Sequence, residues 1–294
     1  MSKPINTKPP ELSRNISDYL PSISFFILLI LVYLPVFIPL VRDWYHDPNY
    51  SHGFLIIPVA LYLIWNKRAQ LISEPGQSSR LWGWLFVIGG FLLLIIGTAG
   101  AELFSIRLSF VVTVWGAILL FWGYGKGKLV LFPIAFLLFM IPIPYTIYYS
   151  MTLPMQLFAT KISMIIIKAI GIPALSDGNI IILPGNYRLE VAEACSGLRS
   201  LVSLLALGAI YAHMTLKKNS NRWLLFLLTI PIAIVANIFR VSTTAIGAYG
   251  ISRKIAEDFL HELSGIMVFV ISTISLIILG AIISWALEKK NTGH

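Results

Sequence analysis

The sequence predicts an all-α, polytopic membrane helix bundle, and three observations carry that prediction. Of 294 residues, 57% are hydrophobic and 12% charged, with a mean hydropathy of +0.82. A soluble domain carries roughly twice that charged fraction. Apolar runs recur at 21–41, 50–66, 82–101, 106–123, 129–149, 155–172, 196–216, 223–248 and 263–287, and most approach the ~20 residues a helix needs to cross the hydrocarbon core. The basic residues behind the net charge of +9 sit in short pairs between these runs. They are therefore a topology signal and not a nucleic-acid-binding block.

Residues 1–20 are mostly polar, with Pro4, Pro9 and Pro10, and read as a cytoplasmic tail. The run at 21–41 follows without a small-residue cleavage site, so it reads as a retained anchor. The second run is short and holds Pro58, so it spans only if Tyr50 to Gly53 contribute. Basic clusters at Lys3/Lys8/Arg14, Lys67/Arg68/Arg80, Lys126/Lys128, Lys217/Lys218/Arg222 and Lys289/Lys290 all belong on the cytoplasmic side. The balanced or acidic segments around Asp43/His46/Asp47, Glu102 and Glu257/Asp258/His261 belong outside, although Arg253 and Lys254 weaken the last of these. Counting inward from both ends, 150–195 begins and ends on the outer face. The run 155–172, which holds Lys161 and Lys168, is then interfacial or re-entrant. About eight spans remain, in one transmembrane domain over 21–287, with 288–294 a second cytoplasmic tail. There is no internal repeat and no sign of an appended soluble domain.

Inside that outer stretch, 179–183 and 187–191 are β-branched runs either side of Pro184-Gly185-Asn186, a hairpin signature. Tyr187, Leu189 and Val191 would face one way, and Arg188 and Glu190 the other. The hairpin delivers the chain to Glu193-Ala-Cys195-Ser-Gly197, where the next helix begins.

Three features on that face can carry chemistry. Cys195 is the single cysteine, which rules out an internal disulfide and a Cys-paired zinc site. It opens a helix, where unpaired N–H groups favour thiolate over thiol, and Arg199 lies one turn deeper on the same side. A lone cysteine is more often a small buried hydrophobe, but Glu193, Ser196 and Arg199 are poor company for an apolar core. Arg240 interrupts the apolar run Ile230 to Val241, with Asn237 on the same helix face. An intramembrane arginine costs roughly 2.5–3.5 kcal/mol and faces a polar partner, unless it snorkels to the interface. His261 opens the last helix, with Gly265 one turn on, where a small residue admits a close neighbour. Alone, such a histidine is usually a solvated surface residue; beside Cys195 and Arg240 it is a candidate base. His46, His52 and Glu102 are also external, and could line the same cavity. A His-only metal site from His46, His52 and His261 is the weaker reading, and no cofactor is implied.

Glu193-Ala-Cys195-Ser-Gly-Leu-Arg199, Asn237-Ile-Phe-Arg240 and His261-Glu-Leu-Ser-Gly265, in that order, resemble the exosortase/archaeosortase family. Ser51-His52-Gly53-Phe54 and Trp65-Asn-Lys67-Arg68 around the second span add to the resemblance, which covers about residues 20–285. It implies a cysteine protease or transpeptidase of the bacterial inner membrane, associated with exopolysaccharide producers. Its partners would be exported proteins ending in a short motif, one membrane helix and a basic cluster. Roles carried over make Cys195 the nucleophile, His261 the acid/base and Arg240 the stabiliser of the oxyanion. Histidine at 261, in place of an archaeal arginine, points to the bacterial branch.

A transporter would instead place polar groups near the midplane of interrupted helices, whereas here they gather at one face. A polysaccharide-assembly transferase would show more external acidic residues. The topology is testable. Cysteines placed near Asp177 and Asn186 in a Cys195-free background should react with an impermeant maleimide in intact cells, and cysteines near Asn66 and Asn219 should not. Labelling at Asn219 without Asn186 would invert the assignment.

Overall fold

The computed structural model describes residues 20–76, 79–185, 187–191, 198–250 and 261–292. Its helices are α1 (Leu20–His46), α2 (Gly53–Asn66), α3 (Arg68–Ser73), α4 (Arg80–Ala99), α5 (Leu103–Phe136), α6 (Tyr145–Ala169), α7 (Leu198–Thr215), α8 (Asn219–Gly250) and α9 (His261–Thr292). Between α6 and α7 lie β1 (Leu175–Asp177), β2 (Ile180–Leu183) and β3 (Tyr187–Glu190). Among the described residues six helices are long and apolar enough to cross a bilayer, and Gly53–Asn66 and Leu201–Thr215 are shorter apolar helices. The chain is a multi-pass membrane protein.

Two boundaries differ from the sequence reading. The predicted runs 106–123 and 129–149 share one helical stretch, Leu103–Met140, which if straight would measure about 57 Å against a core of about 30 Å. Gly123, at φ 83° and ψ 177°, breaks it into two arms, a conformation glycine alone adopts readily. The second arm then stops early. Leu137–Met140 tightens to a 3₁₀ turn and Ile141 is extended (φ −90°, ψ 120°), because residues preceding Pro142 and Pro144 are pushed out of the helical region. A fresh helix, α6, starts at Tyr145 and runs 25 residues. The segment 155–172 is thus mostly the second half of a helix with the length to cross, and not a separate interfacial piece. The interfacial expectation rested on the parity count and on Lys161 and Lys168, both of which lie within this helix.

The chain divides into two compact units: residues 1–47 with 61–135, and residues 48–60 with 136–294. In the first, α4 lies on α5 along a glycine stripe. A Cβ at Gly83, Gly90 or Gly97 would collide with Leu120, Thr113 or Ile106 respectively, so the stripe sets how closely the backbones approach. Beneath it the buried Tyr33 hydroxyl bonds Ser109 Oγ at 2.9 Å and Thr113 Oγ1 at 3.2 Å.

Charge is sorted to the two ends of this unit. Lys67 Nζ donates to the Leu129 carbonyl at 2.9 Å, bringing two basic segments to one end. At the other, buried Arg107 pairs with Asp43. Glu102 there caps α5, accepting from the N–H groups of Phe104 (3.0 Å) and Ser105 (2.6 Å). Its bond from the Ser105 side chain, with these main-chain bonds, holds the carboxyl below its ordinary pKa. His46 caps its own helix through Nδ1 and the Arg42 carbonyl at 2.9 Å. Glu102 and His46, both expected outside, therefore have local capping partners.

In the second unit α8 is the hub, touching α6, α7, α9 and β2. The sheet is antiparallel in the order β1-β2-β3. β2 and β3 pair with Leu183 opposite Tyr187, across the predicted turn. Burial alternates as predicted along β3: Tyr187 and Val191 are buried, Arg188 and Glu190 exposed. β1 was not predicted. It pairs Asp177 with Ile180 across Gly178-Asn179, with Gly178 at φ 59°, a two-residue hairpin loop.

Candidate functional site

The site is organised by α8. Its 32 residues measure about 48 Å, so the helix outruns a hydrocarbon core of about 30 Å. Counting from Arg222, whose Nε is bonded to the Leu216 carbonyl at the start of the helix, the core is crossed after about 20 residues. Counted this way Arg240 falls in the last turn of a crossing of that length, and Thr243 to Gly250 exceed it.

The sheet packs on this end of α8. Ile181, Leu183, Tyr187 and Val191 share one buried apolar cluster with Val241, Ala245 and Ala248 of α8, and with Met164 and Ile167 of α6. Burial of aliphatic side chains at roughly 1.5–3 kcal/mol each fixes the hairpin over this end of the helix pair.

Arg240 is 6% exposed and Asn237 4%. A snorkelling arginine would keep its guanidinium in water, so this burial excludes that alternative. Asn237 Oδ1 is buried with no donor among the described residues, and Asn237 lines a cavity of about 210 Å³ between α6 and α8, with Pro154, Met155, Phe158, Ala159 and Ile234. A buried acceptor left unmet costs roughly 1–3 kcal/mol, which is a cost a polar site incurs and a packed core avoids.

Glu193 and Cys195 lie outside the described residues, and for Arg199 and His261 the helix is described but not the side chain. The chain on both sides of Cys195 is nonetheless anchored. Val191, 1% exposed, is four residues before it, a reach of at most about 14 Å. Leu198, which starts α7, is three residues after, at most about 11 Å. Val191 is clustered with Val241, one residue past Arg240, and Leu201 of α7 with Ala233, one turn before Asn237. Described residues before and after the cysteine segment, Val191 and Leu201, thus pack on α8 on either side of the Asn237–Arg240 turn.

Residues 44–278 match the family model of the transmembrane exosortase. The chain belongs to the transmembrane exosortase family. No curated protein and no solved structure gave a match.

Around this candidate site the roles of Asn179, Gln156 and Ser203 escaped sequence reasoning, as did the contacts of His52. Asn179 grips Val191 twice: its carbonyl accepts the Val191 N–H at 2.9 Å, and its Nδ2 donates to the Val191 carbonyl at 3.4 Å. The same amide donates to Gln156 Oε1 on α6 at 3.3 Å. His52, named only as a possible cavity lining, reaches α7: Nε2 meets the Phe139 carbonyl at 3.0 Å and Nδ1 the Ser203 hydroxyl at 3.4 Å. A carbonyl only accepts, so Nε2 carries the proton and, in the neutral ring, Ser203 donates to Nδ1. The Asp177-Gly178 pair was the available turn signal for Asn179; nothing local marked Gln156 or Ser203. Gly265, expected to admit a close helix, would meet no described atom within 4 Å of a Cβ.

Asn179→Ala removes both side-chain bonds and should cost about 1–3 kcal/mol. Hydrogen exchange should show Leu189 and Val191 amides opening faster while α8 is unchanged. Unaltered exchange at Val191 would show that Asn179 does not hold it.

Proposed function

We propose that this exosortase is a cysteine peptidase or transpeptidase. It cuts the C-terminal sorting tail of exported proteins at the outer face of the cytoplasmic membrane, with both of its own termini in the cytoplasm. The observation that carries the reading is the buried Asn237–Arg240 turn, with Val191 before Cys195 and Leu201 after it packed on α8 to either side of that turn.

The chemistry follows from these groups. The Cys195 thiolate attacks the scissile carbonyl and the carbonyl oxygen becomes an oxyanion, which the Arg240 guanidinium stabilises at low dielectric. His261, at the first residue of α9, gives its proton to the leaving amine as the C–N bond breaks. Water or an acceptor amine then displaces the thiol from the acyl-enzyme, with His261 taking the proton. Arg199, Asn237 and Glu193 support the nucleophile and the guanidinium. A substrate held by its own membrane helix brings the bond to Cys195 in two dimensions, which supplies part of the proximity term.

A reporter fused to genome-encoded tails of motif, apolar helix and basic cluster tests this, with the new C-terminus read by mass spectrometry. Cys195→Ala should abolish cleavage, and Cys195→Ser should nearly do so, since a hydroxyl is far less ionised. Arg240→Lys keeps charge but loses the planar fork, and should slow cleavage on the order of 10²–10³-fold. His261→Ala should also cripple cleavage, and any acyl-enzyme that accumulates on Cys195 should be found with His261→Ala and not with Arg240→Ala. Normal processing by Cys195→Ala overturns the reading.

A further inference from the structure

The outer edge of β3 leads straight to Cys195, and its main-chain groups are aimed away from the sheet. In an antiparallel ladder, residues alternate between sending both N–H and C=O to the neighbouring strand and sending both away from it. The Val191 N–H donates to the Asn179 carbonyl, which sets the phase. With Ile181 opposite Leu189 and Leu183 opposite Tyr187, it is Tyr187, Leu189 and Val191 that bond to β2. Arg188 and Glu190 therefore present their N–H and C=O outward. Among the described residues no donor or acceptor meets them, and both side chains are exposed.

We infer that this edge is the substrate's binding strand: an extended segment of the protein being cut adds to the sheet beside β3. The inference rests on the peptidase reading above and names the subsite that reading leaves open. Three observations select an extended polypeptide as the occupant. First, the free groups are a donor–acceptor row spaced two residues apart, which another extended main chain matches. Second, Glu190 is five residues from Cys195, so the thiol is within about 18 Å of chain from the end of a strand lying along β3. Third, the sheet sits on the part of α8 that projects past the hydrocarbon. A tail whose helix lies in the bilayer emerges at this level, and its segment next to the helix is extended when a nucleophile reaches its carbonyl. Main-chain pairing gives the grip, and the exposed Arg188 and Glu190 side chains, of opposite sign, meet alternate side chains of the added strand.

Proline separates this from a purely structural strand, because it deletes one N–H and is tolerated on an edge that faces outward. Arg188→Pro and Glu190→Pro remove outward N–H groups and leave the β2 ladder donors in place. Ser176→Pro makes the same change on the opposite edge, since Asp177 and Leu175 are the β1 residues that face β2 in this phase. The readout is cleavage of a reporter tail whose processing Cys195→Ala abolishes. The inference expects the Arg188 and Glu190 prolines to slow cleavage by about tenfold or more, with Ser176→Pro close to the parent. Proline scanned through the reporter segment before the cut should then block cleavage at every second position. That substrate-side scan decides the matter if the enzyme variants fail to insert. Normal cleavage by both edge prolines, or a scan with no two-residue period, overturns the edge while Cys195 dependence stands. Absence of any Cys195-dependent tail overturns the peptidase reading, and the edge with it.

Discussion

A guanidinium buried at the edge of the hydrocarbon must be surrounded by protein groups that make its presence tolerable, and the second unit is arranged around that constraint. Arg240 sits within α8, the helix touched by α6, α7, α9 and β2. An intramembrane charge costs roughly 2.5–3.5 kcal/mol on insertion scales, and a helix of this length had room to place it further out. That α8 instead continues to Gly250, beneath a sheet, gives the extra turns a purpose. They are the platform on which the hairpin is packed, and the hairpin is what holds the approach to Cys195.

Two kinds of force share this work. Apolar burial of Ile181, Leu183, Tyr187 and Val191 supplies most of the attachment energy but little direction. Direction comes from the Asn179 amide, which bonds both Gln156 and the Val191 carbonyl, and from His52, whose two ring nitrogens tie the Phe139 carbonyl to Ser203 of α7. In low dielectric such bonds are strong when made and costly when left open. The first unit shows the complementary pattern. Its interior hydroxyl network and glycine stripe pack helices closely, and its charges are confined to the ends.

Most of the helical architecture was legible because the bilayer imposes it locally: apolar runs and the alternation in 187–191 each depend on a few neighbouring residues. Arg240 and Asn237 stood out for the same reason, as polar residues in an apolar run. Missed features depended on contacts between distant segments. The start of α6 was set by Pro142 and Pro144 rather than by hydropathy, and β1 by a partner strand across Gly178-Asn179. Nothing near Gln156 or Ser203 reveals that each meets a residue far along the chain.

We propose that Cys195 acts at the Asn237–Arg240 turn of α8, which requires the thiol to come within cross-linking reach of that turn. Cys195 is the only native thiol, so one added cysteine makes a defined pair. In membranes treated with a short bis-maleimide, Asn237→Cys should cross-link to Cys195, read as a linked peptide by mass spectrometry. Leu225→Cys, twelve residues earlier on the helix and about 18 Å away along its axis, should not. Cross-linking at Leu225 but not at Asn237 would contradict the account.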